Sequence, residues 1–128
     1  MQILLKKKMS KNIDFGARGE QAAVDFLIKK KYKILERNWR YKKLEIDIIA
    51  FYNNMLIVIE VKSRTGTYFE QPFQAVTKKK QRFIIEAANA YIEKHEIDYE
   101  TQFDIISIVE KHNKFDIEHI EDAFYPLV

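Results

Sequence analysis

The sequence contains no cysteine. Disulfides, cysteine nucleophiles and thiolate zinc sites are therefore excluded, and the absence fits a reducing compartment. No apolar run comes near the ~20 residues that a membrane helix needs, and Met1–Leu5 is too short for the hydrophobic part of a signal peptide. We therefore expect a cytoplasmic protein with no membrane partner.

Histidine is also scarce. His95, His112 and His119 lack the spacing of metal ligands, so we expect them at the surface and expect no histidine mechanism. What the chain does have is apolar: 47% hydrophobic and 13% aromatic residues over 128 positions predict one packed domain over residues 1–128. Residues 1–13 are expected to be a flexible N-terminal extension, with Met9 as an alternative start.

The net charge of +3 hides a strong polarity along the chain. Residues 1–82 carry 19 Lys and Arg against 8 Asp and Glu, whereas residues 83–128 carry 3 against 11. A basic surface is typical of proteins that bind nucleic acid. Either lysine run, 29–31 or 78–80, is equally well explained as a solvated helix end, but the asymmetry of the whole chain favours a polyanionic partner.

The most informative segment is residues 44–62, where two apolar runs flank an Asn-Asn turn signal. This pattern predicts a β-hairpin. Because side chains alternate along a strand, each run carries two charged groups on one face: Glu45 with Asp47, and Glu60 with Lys62. Buried ionisable groups need partners or a metal, so three carboxylates and a lysine favour a divalent cation and a phosphate. An exposed ion pair is the alternative for Glu60 and Lys62.

Hydrophobic periodicity predicts an α/β fold with helices packed on a mixed central sheet. The first helix is expected over residues 15–31, with Asp14 as its N-cap. A loop over residues 64–73 is expected after the hairpin. The other expected elements are strands at 32–38, 44–51, 55–63, 102–109 and 114–120 and a helix at 74–95, in the order α-β-β-β-α-β-β.

Asp47, followed by Glu60-Val61-Lys62, resembles the PD-(D/E)xK nuclease motif, whose superfamily has an α-β-β-β-α-β core. Further segments are Gly16-Ala17-Arg18-Gly19-Glu20, Arg37-Asn38-Trp39-Arg40, Glu45-Ile46-Asp47-Ile48-Ile49-Ala50, Ile59-Glu60-Val61-Lys62-Ser63-Arg64, Lys80-Gln81 and Phe103-Asp104. Over residues 15–124 the chain resembles the small bacterial YraN-type family of predicted endonucleases, similar to archaeal Holliday-junction resolvases. The resemblance implies a restriction-endonuclease-like fold and an endodeoxyribonuclease dependent on Mg²⁺ or Mn²⁺.

The resemblance also implies roles for the charged groups of the hairpin. Asp47 and Glu60 are expected to bind the metal, with the backbone carbonyl of Val61 as a further ligand. Lys62 is expected to neutralise the scissile phosphate or to hold the attacking water. Glu20, on the first helix, would complete the metal shell directly or through water, although taken alone it is an ordinary surface residue of a helix.

Other residues are expected around this centre. Glu45 and Gln81 are expected beside the metal ligands or the substrate. Asp104 is expected to be a structural carboxylate that caps a neighbouring loop, and Trp39 would either stack on a nucleobase or pack in the core. The expected nucleic-acid contacts are Arg18, Arg37, Arg40, Arg64, Lys78, Lys79 and Lys80.

Two positions depart from the family pattern. Leu44 stands where the family has glycine, and Gln102 stands where it commonly has arginine, but neither is a proposed ligand. Two functions follow: a metal-dependent endonuclease acting on DNA, including branched or junction DNA, or a nucleic-acid-binding module of nuclease fold without significant catalysis. A junction resolvase cuts two strands and would normally be a symmetric homodimer, but no dimer surface is readable from the sequence.

Overall fold

The computed structural model describes residues 2–65 and 76–126, with side chains described from Phe15 onwards. One mixed sheet of five strands, in the order β1-β2-β3-β4-β5, carries two helices. Strands β3 and β4 are parallel and every other neighbouring pair is antiparallel. The predicted α/β class and element order are confirmed. The elements are α1 Gln2–Lys29, β1 Lys33–Tyr41, β2 Leu44–Tyr52, β3 Met55–Thr65, α2 Lys78–Lys94, β4 Thr101–Lys111 and β5 Lys114–Phe124.

The helix starts differ from those predicted. Helix α1 begins at Gln2, so Asp14 lies inside the helix and is not its N-cap; residues 2–13 contain no glycine or proline that would stop a helix. Whether residues 1–13 are flexible stays a prediction, because helical backbone geometry does not measure motion. Helix α2 begins at Lys78 after the N-cap Thr77, and most of the loop expected at 64–73 lies outside the described residues.

The strands are longer than predicted because tight turns join them. Asn53 and Asn54 both have positive φ angles, of 54° and 60°, as a two-residue type I′ hairpin turn requires. His112 and Asn113 have the same geometry between β4 and β5, with φ angles of 51° and 63°. Strand β1 also continues to Tyr41 and pairs with β2 along its length.

The core lies on both faces of the central strand β3. Leu56 and Val58 pack in a cluster with Ile84 and other residues of α2, whereas Ile57 and Ile59 pack in a second cluster under α1. A strand covered on both faces reads as a continuous apolar run, and this explains the uninterrupted run from Met55 to Ile59. The run ends at Glu60, where the same alternation continues with charged residues. In the part of the chain that the structure describes, no helix combines the length and the apolar character needed to cross a membrane.

Candidate functional site

A carboxyl pair lies where the β2–β3 hairpin leaves the apolar core. The register pairs Ile48 with Ile59, so the next two positions along the antiparallel ladder, Asp47 and Glu60, project from the same face. Their carboxyl groups are hydrogen-bonded to each other. Asp47 Oδ2 also accepts a hydrogen bond from the Val61 backbone N–H at 2.8 Å. The hairpin therefore brings the two predicted ligands together.

Burial sets the protonation of this pair. Only 6% of Glu60 is exposed. Loss of solvation, followed by the negative charge of Asp47, raises the pKa of Glu60 to about 8. Burial also raises the pKa of Asp47, although the Val61 N–H and the Glu60 carboxyl oppose that shift by hydrogen bonding. The raised pKa favours a protonated Glu60, whose carboxyl group donates to Asp47.

Two lysines face the carboxyl pair from different elements. Lys62 follows Glu60 by two residues in β3 and so lies on the same face. Lys80 comes from the first turn of α2, where its backbone N–H donates to the N-cap hydroxyl of Thr77 at 3.1 Å. The charges of both lysines lower the pKa of Glu60, and that of Lys80 also lowers the pKa of Asp47. The site thus combines one buried and one half-buried carboxyl group with two ammonium groups.

The structure separates Lys78, Lys79 and Lys80, which were all predicted to contact nucleic acid. The Lys79 ammonium lies 5.8 Å from the ring centre of Phe83, and Lys78 lines a cavity beside α2. Lys80 alone of the three acts on the carboxyl pair. The helix period could have predicted this separation, because successive residues of a helix point about 100° apart and so cannot share one face.

Glu20 reaches the site from α1. Its negative charge contributes to raising the pKa of Asp47. Its carboxylate accepts a hydrogen bond from Asn38 Nδ2 at 2.9 Å and pairs with Arg37 Nε at 3.5 Å. The preceding residue, Gly19, permits this approach, because a Cβ atom there would collide with the Ser63 hydroxyl of β3. Here glycine serves close packing of helix on strand.

Three of the other predicted residues are held by contacts elsewhere. Glu45 pairs with Arg40 at 3.5 Å. Gln81 Nε2 donates a hydrogen bond at 3.1 Å to the backbone carbonyl of Val76, in the segment that precedes α2. Arg18 pairs with Glu110 at 3.4 Å and lies over a phenylalanine ring. Their proposed roles beside metal or nucleic acid stay predictions.

Trp39 on β1 and Arg64 on β3 are two further residues with predicted roles. Trp39 is half-buried and packs edge-to-face on Tyr91, with ring centres 5.2 Å apart. This placement favours the core-packing alternative over base stacking. Arg64 is half-buried near the end of β3. Its proposed contact with nucleic acid is untested.

His119 is not a surface residue, contrary to expectation. Its side chain is only 3% exposed, and Nε2 lies 2.7 Å from Asp104 Oδ2. Lys30 Nζ lies 3.2 Å from the other ring nitrogen. Asp104 also accepts from the backbone N–H of Asp122 and from Gln102, each at 3.0 Å. The backbone partner of Asp104 thus lies in strand β5 and not in a loop, and whether its role is structural stays a prediction. The ligand atoms of Asp104, His119 and Glu121 all lie within 4.8 Å of one another, so this group could hold a metal ion, contrary to the expectation from histidine spacing. Strand alternation carried the missed signal, since Phe115, Ile117 and His119 share a face.

A comparison with protein families matched residues 19–108 to a model described as "Uncharacterised protein family UPF0102". A UPF0102 protein of Phocaeicola vulgatus is 50% identical over 118 residues, covering 92% of this chain and 98% of the relative. One of Flavobacterium psychrophilum is 44% identical over 117 residues, covering 91% and 98%. One of Bacteroides fragilis is 48% identical over 111 residues, covering 87% and 92%. The family match spans the positions of every group in the carboxyl site.

Proposed function

Because the chain belongs to the uncharacterised protein family UPF0102, whose name states no activity, we propose a function from its site: a metal-dependent endonuclease that hydrolyses phosphodiester bonds in DNA. One observation carries the proposal. The carboxyl groups of Asp47 and Glu60 meet in a largely buried position with Lys62 on the same face. A fold gains no stability from a buried carboxyl group placed against a second, half-buried one, so the pair calls for a functional explanation.

The donor set fits a hard divalent cation. Asp47 and Glu60 supply carboxylate oxygens, and the Val61 carbonyl and Glu20 are further oxygen donors nearby; Mg²⁺ prefers such oxygens and completes its shell with water and phosphate. A bound cation would take the place of the shared proton, because it neutralises the same two negative charges. When bound, the metal would polarise the scissile phosphate and lower the pKa of a bound water.

The lysines supply the positive charge that phosphoryl transfer needs. Lys62 is placed to hold the attacking water or to offset the charge that develops on the phosphate. Lys80 adds a second ammonium from α2, so a phosphate entering the site meets cations from two elements. Arg37 and Arg40, on β1, are exposed and sit on the basic part of the chain. These charges support DNA as the substrate class.

Nuclease assays on supercoiled, single-stranded and four-way-junction DNA, with Mg²⁺ or Mn²⁺ against chelator, test the proposal. We expect Lys62→Ala to lose cleavage by at least about a hundredfold while its DNA affinity stays near that of the parent, since one contact is lost among many phosphate contacts. Lys111→Ala, an exposed lysine at the end of β4, is the matched control and should cut normally. Binding without metal-dependent cutting of any substrate would refute the nuclease and leave a binding module.

A further inference from the structure

A cavity of about 570 Å³ lies between α2 and the C-terminal end of β5. We propose that it binds one unpaired strand of the DNA beside the cleavage site, so that the preferred substrate is DNA with an unpaired arm. This inference rests on the proposed nuclease function and specifies its substrate class. The volume falls within the range of roughly 300–1,000 Å³ typical of small-ligand sites. It suits one or two nucleotides and excludes a duplex.

The first turn of α2 borders both the cavity and the carboxyl site. Lys78 and Gln81 line the cavity, while Lys80, between them in sequence, faces the carboxyl pair. These residues lie within one helical turn, a rise of about 5.4 Å. A strand whose phosphate lies at the carboxyl pair would therefore reach the cavity by passing around the start of α2.

The charges lining the helical wall follow the order that a nucleotide needs. Lys78 and Arg82 stand at the N-terminal end of α2, where the helix dipole also favours an anion. Glu86 and Asn89 follow further along the same wall, and Asp122 adds a second carboxyl group from β5. Phosphates belong at the cationic end, and the acceptor oxygens of the other end suit amino groups on a base edge.

The opposite wall offers an aromatic platform. Tyr125 is 64% exposed although it borders a cavity, and a folded chain gains little by leaving such a ring in water. Ile85 and Phe124 supply apolar surface beside it. An exposed ring next to cations is the combination with which proteins bind single strands without sequence preference. A peptide would gain less from Lys78 and Arg82 at a helix N-terminus.

Binding measured by fluorescence anisotropy in EDTA tests the cavity apart from catalysis. The probes are a duplex with splayed oligocytidine arms, whose bases carry an amino group, and a blunt duplex of equal length. Tyr125→Ala should weaken arm binding by about tenfold and leave blunt-duplex binding within about twofold. Tyr99→Ala, another exposed tyrosine that packs on Phe51 outside the cavity, is the matched control and should bind both probes normally. Equal losses on both probes, or no loss on either, would overturn the proposal.

A second variant guards against misfolding, and the outcomes separate the two proposals. Arg82→Gln should make the salt dependence of arm binding shallower by about one slope unit, with an unchanged melting temperature. If the arm effects appear but the parent cuts nothing with Mg²⁺ or Mn²⁺, the nuclease proposal fails and the cavity assignment stands. If the parent cuts DNA and neither variant discriminates the arms, the cavity assignment fails and the nuclease stands.

Discussion

Replacing Glu60 by glutamine should stabilise the metal-free protein by an amount that grows with pH. The pKa of Glu60 is raised from 4.5 to about 8 by burial and by the charge of Asp47. Below the lower value the carboxyl group is protonated in the folded and unfolded chains alike, so glutamine, which has the shape of the protonated acid, should change little. Between the two values the unfolded chain releases the proton while the folded chain keeps it. The stability of the parent therefore falls as the pH rises through this window.

The magnitude follows from the width of the window. At about 1.36 kcal/mol per pH unit, the interval from 4.5 to about 8 corresponds to about 5 kcal/mol, of which about 2 kcal/mol is lost by pH 6. Glutamine does not titrate, so Glu60→Gln escapes this loss. The difference in free energy of unfolding between variant and parent should thus be near zero at pH 4 and several kcal/mol at pH 8. Because domains of this size are stable by roughly 5–15 kcal/mol, the effect is easily measured.

Urea denaturation in EDTA at pH 4, 5, 6, 7 and 8 measures this difference. Glu118→Gln, at an exposed position of β5, is the matched control and should show a small difference that does not change with pH. Adding Mn²⁺ should then stabilise the parent and not the variant, by about 2.7 kcal/mol when the ion is at 100 times its Kd. If the difference in free energy of unfolding between variant and parent stays constant or shrinks with rising pH, the pKa of Glu60 is not raised in the folded protein.

Two further predictions concern packing around the site. Gly19→Ala should destabilise the protein by about 1–3 kcal/mol and impair cleavage, because the new methyl group meets the Ser63 hydroxyl. Gly16→Ala is the control: the space around Gly16 is open, so this variant should be neutral or stabilising by up to about 1 kcal/mol. Equal effects of the two variants in thermal melts would contradict the close approach of α1 to β3. His119→Ala should cost about 2–4 kcal/mol because it removes one of the three hydrogen-bond partners of the buried Asp104 carboxyl group. The exposed His112→Ala, at a turn position, should cost less than about 1 kcal/mol; similar melting curves for both would argue against the buried network.

Local patterns predicted the hairpin well, because its apolar runs and its Asn-Asn turn both match the environment of β2 and β3 in the fold. The apolar run from Met55 to Ile59 indicated the strand, and Glu60 with Lys62 marked the point at which charges replace apolar side chains. The predicted start of α1 was wrong because strong helix formers precede Asp14, so the helix begins earlier in the chain. An aspartate is a cap signal only where a helix begins. The position of His119 was wrong because it was judged by its distance from other histidines, not by the alternation of its own strand.

The residues that helices bring to the site were harder to predict. Glu20 was expected at the site from a family resemblance, and its approach depends on a glycine that only contact with β3 explains. Lys80 was grouped with Lys78 and Lys79 because the sequence alone does not show where α2 begins. The side of the helix on which each lysine lies depends on that start. Thr77 supplies that start through its hydroxyl. Long-range packing, which no local pattern encodes, decided both positions.

Within residues 2–65 and 76–126, β1 and β5 are the two edge strands of the sheet, and this bears on solubility. An edge strand presents unpaired backbone groups that can join the edge of another molecule, and charged side chains oppose such pairing. Lys33, Arg37 and Arg40 are exposed on β1, so the arginines proposed to contact DNA also keep that edge free. Variants that remove their charge to weaken DNA binding should therefore aggregate more readily. Glutamate in place of arginine would weaken DNA binding and still protect the edge.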